Sequence, residues 1–256
     1  MTATLPNSET RTPEVSVVMA TRNAASTLRR ALASVERLEA ASVELVVMDC
    51  CSTDDTLALV QACAVKRKVV VSEPDGGIYD ALNKGVRRAS GEWIYVLGAD
   101  DELTPDGMAA LLAEAGEADC VYGDVMLRFD TGVVRRYASK PASILPRTMC
   151  CSHQALLMRR SAMLAMGGFD TQFPVSADYD LLLGAYMRGL RFRQTHVVVA
   201  YFACQGESSH LSWQVPVEQY KIYKKNKANT MPLLIVAWNL AKRIARMVYD
   251  PKPKVG

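Results

Sequence analysis

Two adjacent aspartates, Asp100 and Asp101, follow an apolar run at residues 93–97 (WIYVL). Paired carboxylates at the end of a buried strand repel each other unless a cation neutralises them. Their hard oxygen ligands suit Mn²⁺ or Mg²⁺, which also bind diphosphates. One interpretation is therefore a cation site that holds a phosphorylated ligand. The alternative is that the pair caps a helix that begins near Pro105.

Four apolar, β-branched runs alternate with helix-like stretches in the first hundred residues. Near-continuous apolar strands are typical of a sheet that is covered on both faces. The β-α-β order predicts an α/β fold with a mostly parallel central sheet, right-handed crossovers and helices on both faces. The predicted strands are residues 15–20, 43–49, 69–72 and 93–97.

Polar residues follow each predicted strand, at the edge of a parallel sheet where ligands bind. They form the segments 21–23 (TRN), 49–55 (DCCSTDD), 73–77 (EPDGG) and 98–101 (GADD). We therefore expect one ligand site along this edge. The patterns GxGxxG and GxxxxGK[ST] are absent, which argues against the usual dinucleotide and P-loop sites.

The pattern changes after residue 120. The runs VYGDVMLRF and VVRRY flank residues 130–132, which predicts a β-hairpin and hence a small antiparallel element. Further helices are predicted at residues 161–166 and 178–188, with a strand at 196–202.

The composition indicates a folded protein that carries one domain and an appendage. The chain has 256 residues, of which 50% are hydrophobic and 22% charged, which argues against a chain that is disordered as a whole. Seven cysteines without a CxxC pair indicate reduced thiols and a reducing compartment. Residues 1–13 are polar, which predicts a disordered segment and no signal peptide. No run reaches the about 20 apolar residues of a membrane span. We expect a cytoplasmic protein.

The C-terminal residues 221–256 form a basic tail. It contains nine Lys or Arg and one Asp, so its net charge is +8. Because the net charge of the whole chain is +3, the rest of the chain carries −5. Residues 233–248 predict an amphipathic helix that could contact an anionic membrane surface, at the inner face of the cytoplasmic membrane. The alternative is packing on its own domain or on a second copy in a homodimer. Nucleic acid is not expected, because the tail lacks interleaved aromatic clusters.

Five motifs in this order and spacing resemble the family 2 glycosyltransferases of the GT-A fold. They are VSVVMATRN, DCCSTDDT, EPDGGIYDALNKG, GEWIYVLGADD, and GGFD followed by SADYDLLL. The likeness runs from about residue 15 to 209, and EPDGGIYDALNKG is especially similar to bacterial members that build exopolysaccharide and lipopolysaccharide. It implies a GT-A domain over residues 14–220. It also implies inverting transfer from a nucleotide-diphosphate sugar, commonly a UDP-sugar, to a saccharide or lipid-linked acceptor.

The resemblance assigns roles on the donor side residue by residue. Gly76 and Gly77 would let the backbone approach the donor, because glycine has no Cβ that would clash. Asp49 would contact the base, and Asn83 and Lys84 would point from the following helix towards nucleotide or phosphate. The full set of implied nucleotide-sugar-binding residues is Thr21, Asn23, Asp49, Asp54, Asp75, Asn83, Lys84 and Asp100.

The implied metal motif is the Asp100 and Asp101 pair, with Mn²⁺ or Mg²⁺ as the cofactor. This sequence has Gly98 where many relatives have the first Asp, so two carboxylates are present instead of three. His210 is a candidate late metal ligand.

The implied catalytic residue is Asp178, the general base that would deprotonate the acceptor hydroxyl. Ala177 stands where the family has a glutamate, and Asp180 is expected to be structural. His153 and Gln154 resemble a pair on the acceptor side. Because Gly98 and Ala177 depart from the family pattern, a rival hypothesis is a catalytically weak sugar-nucleotide-binding subunit that assists a partner transferase.

Overall fold

The computed structural model describes residues 13–38, 42–104, 106–204, 214–228, 236–237 and 240–241. Its first half confirms the predicted alternation of strands and helices. Strand β2 pairs in parallel with β1 and β3, and β1 pairs in parallel with β4. The elements are β1 (Val15–Thr21), α1 (Ala25–Glu36), β2 (Val43–Asp49), α2 (Thr56–Ala62), β3 (Arg67–Ser72), α3 (Ile78–Arg88) and β4 (Trp93–Val96).

The second half of the sheet is mixed rather than parallel. The elements are β5 (Glu102–Leu103), α4 (Gly107–Ala113), β6 (Cys120–Arg128), β7 (Val134–Tyr137), β8 (Leu156–Arg159), α5 (Arg160–Ala165), α6 (Ala177–Met187), β9 (Phe192–Ala203) and α7 (Gln214–Asn226). Strand β8 lies between β4 and β6 and is antiparallel to both, whereas β9 is parallel to β6. The strand order is β3-β2-β1-β4-β8-β6-β9-β5, with β7 paired to β6. The hairpin formed by β6 and β7 confirms the predicted antiparallel element.

Apolar side chains alternate between the two faces of the sheet and form two core clusters. In β2, Leu45 and Val47 belong to the first cluster together with residues of α1 and α4. Val46, on the opposite face, belongs to the second cluster with residues of α3, α5 and α6. Helices therefore cover both faces, as predicted.

The C-terminal boundary expected at residue 220 falls inside α7. Ile222 and Tyr223 are fully buried in the second core cluster. Glu218 is also buried, and its Oε2 accepts the backbone N–H of Ser176 at 2.8 Å. Residues of α7 on both sides of position 220 thus belong to the packed body, because their burial and hydrogen bonds tie them to it.

The predicted tail helix at residues 233–248 lies outside the described residues except for 236–237 and 240–241, which are helical. The N-terminal residues 1–12 and His210 are also outside them. Within the parts of the chain that are described, no helix has the length and apolar character needed to span a membrane.

Candidate active site

Asp100 and Asp101 lie directly after β4, in the loop that leads to β5. Asp101 is 1% exposed, and its Oδ1 accepts the backbone N–H of Ala203 at 2.9 Å. Its other oxygen, Oδ2, is buried without a hydrogen-bond partner. Burial raises the pKa of Asp101 to about 6, and the charge of Asp100 adds to this rise. A buried carboxylate oxygen without a partner is costly unless a ligand supplies one.

Gly98 makes room for this carboxylate. A Cβ at position 98 would lie 2.4 Å from Asp101 Oδ2 and 3.0 Å from Asp100 Oδ1. Both carboxylates therefore converge on the space that a side chain at this position would fill. The alternative that they cap a helix is wrong, because α4 begins at Gly107 and Asp106 is the residue before it.

The residues present fit a divalent cation that shares its ligands with a substrate. Mg²⁺ is commonly held by one or two carboxylates together with phosphate oxygens and water, and Asp100 and Asp101 supply such a pair. Among the residues that the structure describes, no group of three or more His, Cys, Asp or Glu side chains could hold a metal ion. The remaining ligands would therefore come from a diphosphate and from solvent.

Asp49 organises the strand ends on the predicted nucleotide side. Its buried carboxylate accepts hydrogen bonds from the hydroxyl groups of Thr21, Ser52 and Ser72 and from the backbone N–H of Ser52. Burial tends to raise its pKa, but the bonds from Ser52, Ser72 and Thr21 outweigh this and lower it. The carboxylate is thus held ionised at the ends of three adjacent strands. Its predicted contact with a base stays a prediction.

Asn23 and Asp54 connect the loops that follow β1 and β2. The backbone of Asn23 is left-handed, with a φ of 48°, and its Oδ1 accepts the N–H of Thr53 at 2.9 Å. The Asp54 carboxylate accepts the N–H groups of Ala25 at 3.1 Å and Thr56 at 3.0 Å. The structure therefore places both residues at the predicted edge, in two loops that hold each other in place.

Residues 73–85 form the predicted loop and helix. Asp75 Oδ1 accepts the N–H of Gly77 at 2.8 Å, and Gly77 has a φ of 116°, which favours glycine. Lys84 Nζ lies 3.2 Å from both a Glu73 oxygen and an Asp80 oxygen. Lys84 thus fastens the loop to α3, and its predicted contact with phosphate stays a prediction.

Asn83 does not have the predicted role. Its Nδ2 donates to the carbonyl of Phe169 at 2.7 Å, and its Oδ1 accepts the N–H of the same residue at 2.8 Å. The side chain is buried, so its donor and acceptor are both committed to this backbone rather than to a nucleotide. Gly168 has a φ of 74°, and a Cβ there would lie 2.3 Å from Asn83 Oδ1. The Asn83 amide therefore explains why the second residue of the GGFD motif, Gly168, is a glycine.

Gly168→Ala is expected to lower the free energy of unfolding by about 3 kcal/mol. About 1 to 2 kcal/mol comes from the left-handed backbone, and loss of the two Asn83 bonds adds about 1 kcal/mol each. Gly189→Ala is the matched control, because Gly189 has a φ of 78° but nothing lies within 4 Å of its Cβ position. Urea denaturation of both variants measures the difference. Equal losses would contradict a special role for Asn83.

Asp178 lies in the first turn of α6, facing the turn His153–Ala155. Its Oδ1 accepts the N–H of Tyr179 at 2.8 Å, and its Oδ2 lies 3.3 Å from Nδ1 of His153. Tyr79, on α3, packs its ring against Phe169, with 5.1 Å between the ring centroids. Burial raises the pKa of Tyr79, and the charge of Asp178 adds to the rise, so its phenol also belongs to this site.

His153 and Gln154 interact with the two groups of carboxylates. The side chain of Gln154 is 3% exposed and acts to lower the pKa of Asp101, but burial outweighs this and the pKa stays raised. Its neighbour His153 contacts Asp178. The predicted pair thus reaches both Asp101 and Asp178.

Two other positions in α6 have structural explanations. Ala177 is fully buried in the second core cluster. Asp180 accepts hydrogen bonds from Lys225 Nζ at 2.6 Å and Asn226 Nδ2 at 2.9 Å, which matches its expected structural role.

Sequence reasoning missed Ser52 and Ser72 as partners of Asp49, although Ser72 ends a predicted strand and its position was a usable signal. No local signal identifies Tyr79, because its place beside Asp178 depends on how α3 meets the segment before α6, where Tyr79 contacts Phe169 and Val175.

Comparisons with known proteins agree with this geometry. The family model described as "Glycosyl transferase family 2" matches residues 16–173. A "PGL/p-HBAD biosynthesis glycosyltransferase" of Mycobacterium bovis is 34% identical over 198 residues, which cover 74% of this chain and 77% of the relative.

Two solved structures illustrate the shared fold. S. aureus TarS 1–349 in complex with UDP-GlcNAc matches with a TM-score of 0.69 and 17% identity, covering 94% of this chain and 77% of that chain. In another TarS 1–349 structure the match covers 64% of that chain. Mannosyltransferase PcManGT from Pyrobaculum calidifontis, in complex with GDP-Man and Mn²⁺, matches with a TM-score of 0.68 and 19% identity, covering 99% of this chain and 79% of that chain.

The structural neighbours establish the GT-A fold, and the sequence matches establish the family. The family model spans more than half of the 256 residues, and the mycobacterial relative covers about three quarters of them at over 30% identity. The chain therefore belongs to glycosyl transferase family 2.

Proposed function

We propose that this chain is an inverting glycosyltransferase that uses a nucleotide-diphosphate sugar, with UDP as the first nucleotide to test. The observation that carries the proposal is the buried, unpartnered Asp101 Oδ2 beside Asp100, at the sheet edge that also holds Asp178. Structural neighbours solved with UDP-GlcNAc and with GDP-Man and Mn²⁺ support a donor and a divalent ion of this kind. The acceptor would be a saccharide or a lipid-linked sugar of cell-surface polysaccharide synthesis.

The residues suggest a single displacement. Asp100 and Asp101 would hold a divalent cation, which supplies positive charge to the departing diphosphate when it is bound. Asp178 accepts the proton of the acceptor hydroxyl, and that oxygen attacks the anomeric carbon from the face opposite the diphosphate. The bond between the anomeric carbon and the diphosphate oxygen breaks as the new glycosidic bond forms. Inversion follows because only one displacement occurs.

The two departures from the family pattern do not favour the rival binding subunit. A glutamate at position 177 would replace a fully buried residue of the core, so Ala177 is explained by packing. At position 98, the space of the missing side chain is occupied by the Asp101 carboxylate. Both departures thus have a packing explanation that does not require a loss of activity.

Calorimetric titration of UDP, GDP and dTDP, with and without Mn²⁺, tests the donor site. We expect one nucleotide to bind more tightly when Mn²⁺ is present, and its sugar conjugates to be transferred or slowly hydrolysed. Binding without either reaction, with transfer restored by a second protein, would instead support the binding subunit. If no nucleotide binds and no donor is hydrolysed under any of these conditions, the proposal is wrong.

The proposed acceptor also gives the basic tail a role. A lipid-linked sugar lies at a membrane surface, and Lys or Arg residues near such a surface are attracted to anionic lipid. Sedimentation with phosphatidylglycerol vesicles, compared with phosphatidylcholine vesicles, tests this contact. We expect binding to the anionic vesicles that weakens as salt is added.

A further inference from the structure

The imidazole of His153 and the carboxylate of Asp178 form a contact that the proposed reaction has not yet used. Nδ1 of His153 lies 3.3 Å from Oδ2 of Asp178, and the two side chains are 33% and 20% exposed. They come from different parts of the fold, since His153 is in the turn before β8 and Asp178 is in the first turn of α6. The contact therefore depends on tertiary structure rather than on local sequence.

We propose that His153 is a positioning residue for Asp178, a role that rests on the proposed function of Asp178 as the general base. One carboxylate oxygen of Asp178 is fixed by the N–H of Tyr179, and the other faces His153. A carboxylate accepts about four hydrogen bonds, so lone pairs remain for the acceptor hydroxyl. Holding both oxygens fixes the direction in which those lone pairs point.

The turn that carries His153 is itself firmly held. The carbonyl of the next residue, Gln154, accepts the phenol of the buried Tyr95, and Ala155 is fully buried. The N–H of Ala155 donates to the carbonyl of Ser152 at 3.0 Å. The imidazole is thus delivered to Asp178 by backbone that is anchored in the core, which is the arrangement that keeps a functional group in one geometry.

The surroundings of the pair strengthen its interaction. A cavity of about 20 Å³, enough for one water molecule, lies against both side chains and is otherwise lined by apolar residues such as Ile94, Met158 and Leu182. Charges interact more strongly beside such an apolar wall than in water. Among the ion pairs that the structure describes, no Lys or Arg side chain competes with the His153 imidazole for the carboxylate of Asp178.

Several titratable groups face the pair. The carboxylates of Asp100 and Asp101 act on the imidazole, while the Tyr79 phenol and the Cys151 thiol lie near Asp178. Burial lowers the pKa of His153, but Asp178 and then Asp101 and Asp100 outweigh it and raise the pKa overall. The imidazole is thus acted on by three carboxylates, and Asp178 has the largest effect among them.

Proton NMR titration of the histidines tests the contact without any need for sugar transfer. In Asp178→Asn we expect the pKa of His153 to fall relative to wild type, because its nearest carboxylate has been removed. The exposed His196 on β9 serves as the internal reference. An unchanged His153 pKa would overturn the positioning role.

Kinetics then test the consequence for the reaction. His153→Ala is expected to lower kcat about 10- to 100-fold, because a misplaced reacting group can cost about that much, while UDP affinity and donor KM stay within about twofold. His153→Asn should recover part of the loss, since its amide N–H replaces the Nδ1 donor. His196→Asn is the matched control and should retain wild-type kcat.

The outcomes separate this inference from the proposed function. An unchanged kcat in His153→Ala, or an equal loss of kcat and nucleotide affinity, would overturn the positioning role alone. A wild-type protein that binds nucleotide but transfers no sugar to any acceptor would overturn the proposed function, and with it the need for a positioned base.

Discussion

Asp178→Asn is expected to reduce the rate of sugar transfer about 10³-fold, within the range that general base catalysis contributes. Asparagine has nearly the same shape and keeps an oxygen that can accept the N–H of Tyr179, but it cannot take a proton from an acceptor hydroxyl. Initial rates at saturating donor and acceptor measure the loss. Nucleotide affinity should remain close to wild type, because none of the predicted nucleotide-binding residues lies in α6.

Asp130→Asn is the matched control for this variant. Asp130 is exposed in the turn of the hairpin formed by β6 and β7, so removing its charge should leave transfer unchanged. If Asp178→Asn transfers sugar at the wild-type rate, another group takes the proton. Parallel losses of transfer and of nucleotide affinity would instead indicate a disturbed fold.

Asp101→Asn is expected to weaken Mn²⁺-dependent nucleotide binding by about 100-fold or more, since even residues that only support metal ligands are worth about 10- to 100-fold in affinity. The variant replaces the carboxylate that carries the buried, unpartnered Oδ2 with a neutral amide. The proposed cation therefore loses one of its two charged ligands. Calorimetric titration of the nucleotide, with and without Mn²⁺, measures the effect. Binding that stays equally dependent on Mn²⁺ would show that the ion is held elsewhere.

Gly98→Ala should weaken the same binding through Asp101. Its Cβ would lie 2.4 Å from Asp101 Oδ2, so the carboxylate has to move although the alanine itself carries no charge. Sites that act through one another are not additive. The double variant with Asp101→Asn should therefore bind nucleotide no worse than Asp101→Asn alone, and additive losses would contradict this explanation.

The stability of Asp101→Asn provides a separate measurement with a defined sign. Burial raises the folded-state pKa of Asp101 to about 6, from an ordinary value of 3.8. A raised carboxyl pKa means that wild type loses stability as the pH rises from about 4 to 6, because the folded protein must then hold a buried charge. The variant should not show this loss, so its urea midpoint should exceed that of wild type at pH 7 in the absence of metal. A higher urea midpoint for wild type than for Asp101→Asn would show that the buried charge is stabilised within the protein.

The sequence predicted the parallel half of the fold well, because its strands are apolar runs and the residues at their C-terminal ends must meet at one edge. Asp49, Asp100 and Asp101 were identified in this way. Strand β8 was missed, because it has only four residues and α5 follows it directly. Its antiparallel insertion between β4 and β6 is what makes the sheet mixed.

The predictions that failed or fell short concern contacts between distant parts of the chain. Asn83 was expected to contact a nucleotide, but its partner Phe169 lies 86 positions away, and no local pattern indicates that pairing. The same holds for His153 and Asp178, whose contact requires the turn before β8 and the start of α6 to meet. Residue types suggested that these side chains were important, whereas their partners could be found only in the folded structure.

The bond between Asn83 and Phe169 also limits how this enzyme fold can be recombined. Consider a chimera that takes the residues before β4 from one relative and β4 with the remainder from another. Strands β4 and β8 then come from the same parent, so their pairing is preserved. The chimera would, however, combine position 83 from one parent with positions 168 and 169 from the other. Because Gly168 leaves only enough space for the Asn83 amide, mismatched residues at positions 83 and 168 would either clash or leave a cavity. Positions 83 and 168 should therefore covary in evolution, and an exchange of segments between relatives should transfer both.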